Sequence, residues 1–95
     1  MNCSHVVFSG HALRRMFQRE LDKDDIIEVL KGGECIAEYL EDRPYPSYLM
    51  LGFAGSRPVH IVVARDRVDE ACYVVTAYVP DGLLWSDDFR IRREP

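Results

Sequence analysis

The chain has 95 residues, of which 47% are hydrophobic and 29% charged, and its formal net charge is −4 at pH 7. This length and composition predict one globular domain over residues 1–95 and exclude disordered and fibrous classes. No stretch reaches the ~20 apolar residues of a membrane helix and the N-terminus lacks a signal-peptide pattern, so we expect a cytoplasmic protein without membrane contact. The acidic charge argues against general nucleic-acid affinity, so any RNA contact must use a local basic patch.

The first predicted elements are a short strand over residues 5–8 and an amphipathic helix from Gly10 to about Glu20. Ser9 is a suitable N-cap for this helix. A helical wheel predicts an apolar inner face and a basic outer face. The inner face consists of Ala12, Leu13, Met16 and Phe17, and the outer face of His11, Arg14, Arg15 and Gln18, with Arg19 at the border.

A second helix is predicted to begin after Asp22 and to end at the "KGG" of residues 31–33. Asp22 and Asp25 have the spacing of a capping box, and a glycine after Lys31 is typical of a helix C-terminus. The two short helices are therefore joined by a tight turn.

After Gly33 the hydrophobic period changes toward two, which predicts strands. If the last hairpin is centred near Val68, position 60 faces position 76, and a one-residue shift would change that register. His60, Thr76 and Tyr78 then form a polar end on an otherwise apolar sheet face. The predicted strands are Cys35 to Leu40, Tyr48 to Phe53, Val59 to Ala64 and Cys72 to Val79, and the last three form an antiparallel meander.

The C-terminal tail and the three cysteines are the remaining features of the sequence. The apolar tail residues are expected to anchor the chain against the domain, next to a second basic cluster. Three widely spaced cysteines fit neither a disulfide framework nor a zinc site, so we expect free thiols and neither metal nor cofactor. The anchors are Trp85, Phe89 and Ile91, the basic cluster is Arg90, Arg92 and Arg93, and the cysteines are Cys3, Cys35 and Cys72.

Several motifs in order resemble one protein family: "FSGHALRRMFQREL", "PYPSYLMLG", "RPVHIVVA", "YVVTAYVPD" and a Trp followed by "FRIRR". This set, from about Phe8 to Arg93, resembles a small bacterial family known only as a domain of unknown function and grouped with the RelE and BrnT type toxins of toxin-antitoxin pairs. The resemblance implies an α+β, RelE-like fold with two N-terminal helices packed on a small antiparallel sheet of four to five strands. It also implies an endoribonuclease, ribosome-dependent or free, that a cognate antitoxin holds inactive.

The resemblance also implies a set of site residues. Glu20 stands where the family usually has glycine, and the acidic net charge departs from the strongly basic character of many RelE-type toxins. The family pattern falls on His11, Ala12, Arg15, Met16 and Arg19 in the helix, on His60 in a strand, and on Thr76 and Tyr78 in its "TxYxP" strand.

These residues suit metal-independent RNA cleavage by 2′-hydroxyl attack. Two histidines would act as general acid and general base, and arginines would hold the phosphate. In this hypothesis His11 and His60 are the acid and base, and they must share one pocket. Tyr78 donates a hydrogen bond or stacks on a base, Arg15 and Arg19 bind the phosphate, and Thr76 orients His60.

The residues also permit structural interpretations. His11 is equally typical of a helix surface and His60 of a strand core, Thr76 and Tyr78 are ordinary strand residues, and Arg15 and Arg19 could pair with Asp22 or Asp25. The main alternative function is a non-enzymatic protein-interaction module, in which the basic helix face docks an acidic partner. A small-molecule pocket at His60 and self-association also stay open.

Overall fold

The protein is an α+β domain with two helices and one five-stranded mixed sheet, described here from a computed structural model over residues 1–94. The two helices and the meander strands lie where the sequence predicts them, with ends that differ by a few residues. The elements are β1 (Val6–Phe8), α1 (Gly10–Gln18), α2 (Lys23–Gly32), β2 (Glu34–Tyr39), β3 (Ser47–Ala54), β4 (Arg57–Arg65) and β5 (Cys72–Tyr78).

The sheet has the strand order β1-β5-β4-β3-β2. Strands β3, β4 and β5 form the predicted antiparallel meander, and β2 extends it by pairing antiparallel with β3. The expected purely antiparallel sheet is wrong at one edge, because β1 pairs with β5 in parallel, with Val6 opposite Cys72. The physical reason is the long connection between the two strands, which contains both helices and strands β2 to β4. Because of this crossover, β5 runs beside β1 in the same direction.

The β4–β5 register differs from the sequence prediction. His60 lies opposite Tyr78 and Val62 opposite Thr76, with an irregularity between Val62 and Val63. The predicted pairing of positions 60 and 76 is therefore wrong by two residues. Because a strand has a period of two, this shift leaves His60, Thr76 and Tyr78 on one face, as expected.

Both helices begin at side-chain caps. The Ser9 hydroxyl accepts a hydrogen bond from the Ala12 backbone N–H and donates one to the Val75 carbonyl of β5. Asp22 and Asp25 form the predicted capping box, in which each carboxylate accepts from the other residue's backbone N–H. Local sequence signals therefore set both helix starts.

The turn between the helices contains a residue in the left-handed region. Glu20 has φ 55°, a conformation that favours glycine. Arg57 of β4 holds this turn, because its guanidinium donates to the carbonyls of Arg19 and Glu20, each at 2.9 Å. A tertiary contact thus supports the turn at Glu20.

The helices pack on one face of the sheet, α1 mainly on β5 and α2 mainly on β3. Ala12 and Met16 are buried, but Leu13 is 41% exposed and Phe17 is 85% exposed. The predicted four-residue apolar face of α1 is therefore wrong for Leu13 and Phe17, because the helix meets the sheet along a narrow stripe. The buried cluster is Ala12, Met16, Leu21, Ile26, Val29, Leu30, Met50, Val59, Ile61, Val63, Cys72, Val74 and Ala77.

The cysteines also depart from the expectation of free thiols. Cys3 and Cys72 form a disulfide that joins the N-terminal segment to β5 over a sequence separation of 69, whereas Cys35 is a free, exposed thiol. Spacing along the chain does not reveal such a pair, because the parallel pairing of β1 with β5 brings the two residues together. Over residues 1–94, neither helix is long and apolar enough to span a membrane.

Candidate functional site

The basic face of α1, which we define as His11, Arg14, Arg15 and Gln18, lines an open groove of about 280 Å³. All four side chains are exposed. His11 and Arg15 are one helical turn apart, so their side chains lie side by side. A single anionic group can therefore contact both of them.

The arginines of α1 have no carboxylate partner within residues 1–94. Asp25 contacts Arg57 at 3.9 Å, and the Asp22 carboxylate caps α2. The interpretation that Arg15 and Arg19 pair with Asp22 or Asp25 therefore does not describe this structure. The positive charge of Arg14 and Arg15 is therefore not paired with any carboxylate of residues 1–94, although the whole chain is acidic.

His60 is fully buried on the other face of the sheet. Its neighbours Val59 and Ile61 belong to the core beneath the helices, so strand alternation directs the His60 ring away from α1. Nε2 lies 2.8 Å from the Phe89 carbonyl and Nδ1 lies 3.1 Å from the Tyr78 hydroxyl. A carbonyl only accepts, so Nε2 carries a proton. Burial disfavours the charged ring, so Nδ1 is unprotonated and accepts from the Tyr78 hydroxyl.

The electrostatics agree with this neutral pair. Burial lowers the pKa of His60, and the bond to the Phe89 carbonyl opposes that shift. Burial also raises the pKa of Tyr78, so the phenol keeps the proton that it donates. His60 and Tyr78 thus form a satisfied structural pair rather than an exposed acid and base.

The C-terminal segment, residues 80–94, covers His60. The Trp85 ring packs edge-on against the His60 ring with 4.4 Å between centroids, and the Arg92 guanidinium lies 5.8 Å from the centre of the Trp85 ring. Trp85 is thus an anchor, as predicted, and Phe89 contributes its carbonyl. Ile91 is 68% exposed, so its predicted anchoring role is wrong.

The second basic cluster is largely paired with carboxylates. Arg90 forms ion pairs with Glu34 of β2 and with Asp88, and Arg93 pairs with Asp87 at 3.0 Å. These contacts fasten the C-terminal segment to the sheet edge and to itself. The cluster therefore differs from α1, whose arginines have no such partners within the described residues.

The predicted site residues fall into two separate places. His11 and Arg15 share the basic face, with Arg19 exposed one turn beyond Arg15. His60 and Tyr78 meet on the opposite side of the sheet, where Thr76 lies opposite Val62 instead of His60. The single pocket that a two-histidine mechanism requires is not formed by residues 1–94.

Sequence reasoning missed two features of α1 and its surroundings. Leu13 and Phe17 form an exposed apolar flank beside the basic face, and Arg57 fastens the turn that follows α1. The wheel alone could not reveal the flank, because it shows which residues share a side but not how wide the buried stripe is. The described residues also contain no group of three or more His, Cys, Asp or Glu side chains that could hold a metal ion.

Comparison with known proteins relates the chain to one uncharacterised family. The model of a family described as a domain of unknown function (DUF4258) matches residues 8–79. No curated protein and no solved structure shows significant similarity to the chain. The matched residues include the basic face and the His60–Tyr78 pair, whereas the C-terminal segment lies beyond them.

Proposed function

We propose that this chain, which belongs to the DUF4258 family of uncharacterised domains, is an interaction module that binds an acidic protein through the basic face of α1. The observation that carries this proposal is the positive charge of Arg14 and Arg15, which has no carboxylate partner among residues 1–94. On a chain of net charge −4, a local basic surface selects acidic partners and repels basic ones.

The sequence motifs resemble a family that is grouped with RelE and BrnT type toxins, and this grouping is our basis for proposing an identity for the partner. We infer that it is a cognate antitoxin, and that this chain is a toxin-type protein with a RelE-like fold. Support comes from two helices that precede an antiparallel meander and from the pattern of His11, Arg15 and Arg19 in α1. The proposal includes a cytoplasmic location, in which Cys3 and Cys72 would be kept reduced.

The resemblance implies an antitoxin encoded alongside this chain, so binding to the protein encoded by the adjacent reading frame tests the proposal. The full chain is coexpressed with that protein, purified through a tag on this chain, and compared with R14E/R15E. The exposed arginines Arg43 and Arg67 lie in loops and provide the control R43E/R67E, which changes the net charge by the same amount.

We expect a complex with the wild type and the control, and at least tenfold weaker binding by R14E/R15E. We also expect binding to weaken as salt rises from 50 to 500 mM, because exposed charges are screened. Equal binding by both double variants, or no complex with the wild type, would overturn the proposal.

A second candidate function is the endoribonuclease implied by the resemblance, and one observation favours it. His11 and Arg15 lie side by side in an open groove, where an imidazole can transfer a proton and a guanidinium can bind the same phosphate. His60 and Tyr78 would then support the fold instead of acting on RNA. One proton-transfer group contributes about 10²- to 10⁴-fold, so only modest activity is expected.

RNA cleavage by the purified chain in EDTA tests this second candidate. His5 is exposed and outside α1, so His5→Ala is a matched control for His11→Ala. The nuclease is supported if the wild type and His5→Ala cleave RNA and His11→Ala does not. Intact RNA with the wild type, or equal cleavage by His11→Ala, rules it out.

A further inference from the structure

We propose that the acidic partner binds α1 as an amphipathic helix and places an aliphatic side chain against Leu13 and Phe17. This inference rests on the proposed function and adds to it the apolar anchor and the secondary structure of the bound segment. It starts from Phe17, an apolar side chain that is 85% exposed on the surface of a small domain. The positive charge of the basic face does not explain why this side chain is exposed.

Phe17 and Leu13 form one apolar flank. They are one turn apart on α1, and Leu13 is itself 41% exposed. Neighbours at this spacing present a continuous surface along the helix. Large exposed aromatic side chains beside arginines are typical centres of protein interfaces, where few residues supply most of the binding energy. The flank therefore has the chemistry of an anchor site.

The flank and the basic face run parallel along α1. Successive residues differ by about 100° on the helix, so Arg14 lies beside the row of Leu13 and Phe17, with Gln18 and His11 beyond it. A partner must present an apolar row and an acidic row side by side at the same spacing. A helix does so with residues at i and i+4, whereas a strand directs alternate residues to opposite sides.

The positive charge of the basic face also determines which kind of partner can bind this surface. If two copies of this chain packed α1 against α1, Arg14 and Arg15 of one copy would face the same arginines of the other copy. This contact between like charges is unfavourable. An acidic helix instead gains attraction along the basic face while its aliphatic residues cover Phe17. We therefore assign the surface to an acidic partner helix.

Selection from a phage-displayed library of random 16-residue peptides against the full chain tests this assignment. Recovered peptides are synthesised and their affinities measured for the wild type, F17S and R14E/R15E. Leu83 lies in the C-terminal segment and is 84% exposed, so L83S is the matched control for removal of one exposed apolar side chain. Far-UV circular dichroism checks the fold of every variant.

We expect the peptides to be acidic, to carry aliphatic residues four positions apart, and to become helical on binding. Their affinity should fall ~10- to 100-fold for F17S, as for an aromatic anchor, and stay unchanged for L83S. Backbone amide signals of α1 should shift in NMR spectra when a peptide is added.

The outcomes separate this inference from the proposed function. If R14E/R15E weakens binding and F17S does not, the apolar anchor is wrong and the acidic partner stands. If neither variant weakens binding, both are wrong. Non-acidic peptides, peptides that stay extended, a concentration-dependent dimer that F17S abolishes, or no recovered binder would each overturn the inference.

Discussion

His60 is the residue whose removal should perturb the sheet and the C-terminal segment together. It is fully buried, and its ring nitrogens join Tyr78 of β5 to the backbone of Phe89. His60→Ala would leave the Phe89 carbonyl and the Tyr78 hydroxyl without these partners and would open a cavity beneath Trp85. We therefore expect a large loss of stability and early release of the C-terminal segment.

The magnitude follows from the lost contacts. Each hydrogen bond contributes about 0.5–1.5 kcal/mol net. The edge-on contact with Trp85 contributes about 0.5–1.5 kcal/mol, and the cavity adds to the loss. The free energy of unfolding should fall by about 3 kcal/mol, which corresponds to a Tm lower by about 10–25 °C for a domain of this size.

Urea unfolding followed by fluorescence measures this effect directly, because Trp85 is the only tryptophan and contacts the His60 ring. His60→Gln is the control, since its amide can still donate to the Phe89 carbonyl, and it should lose about half as much stability. A His60→Ala variant within 0.5 kcal/mol of the wild type, with unchanged Trp85 emission, would refute the reasoning.

The same residue predicts a pH dependence. Burial lowers the pKa of His60 below its ordinary value of 6.5, so the unfolded chain binds this proton more readily. The stability contributed by the neutral ring is complete above about pH 6.5 and is lost as the pH falls toward the lower folded-state pKa. The wild type should lose up to about 1.4 kcal/mol per pH unit in that window relative to His60→Gln. Parallel profiles from pH 7.5 to 5 would contradict this assignment.

Two further predictions concern packing and the disulfide. Cys3→Ser removes the link to Cys72 and should lower the free energy of unfolding under oxidising conditions by up to about 4 kcal/mol, as a chain-entropy model gives for a loop of this length. If the variant is still less stable than the wild type after the wild type is fully reduced, the loss does not come from the disulfide. Gly52→Ala places a Cβ 2.8 Å from Val29 Cγ1. Because both residues are held in the α2–β3 contact, the free energy of unfolding measured in urea should fall by about 1–3 kcal/mol. A variant as stable as the wild type would show that Val29 can move aside.

Local features of the sequence determined much of the secondary structure. The capping box of Asp22 and Asp25 and the Ser9 cap specify both helix starts with side chains only three residues from their backbone partners. The period-two pattern specifies the meander, and a two-residue register error did not move His60 or Tyr78 to another face. These features were predictable because the interactions that create them lie within a few residues along the chain.

The candidate site was predictable only in part. The basic face of α1 follows from the spacing of His11, Arg14 and Arg15, because helical geometry alone places them together. Whether His60 faces that surface depends on which side of the sheet α1 covers, and the pattern of a strand does not specify this. The exposure of Phe17 likewise depends on the width of the contact between α1 and β5.

Only the tertiary structure determined the parallel pairing of β1, the disulfide and the packing of the C-terminal segment on His60. β1 beside β5, Cys3 against Cys72, and Trp85 on His60 each join residues that are distant along the chain. A hydrophobic pattern marks a side chain as buried but does not name its neighbour. Those neighbours are chosen when the whole core packs, because long-range contacts must offset the entropy of closing long loops.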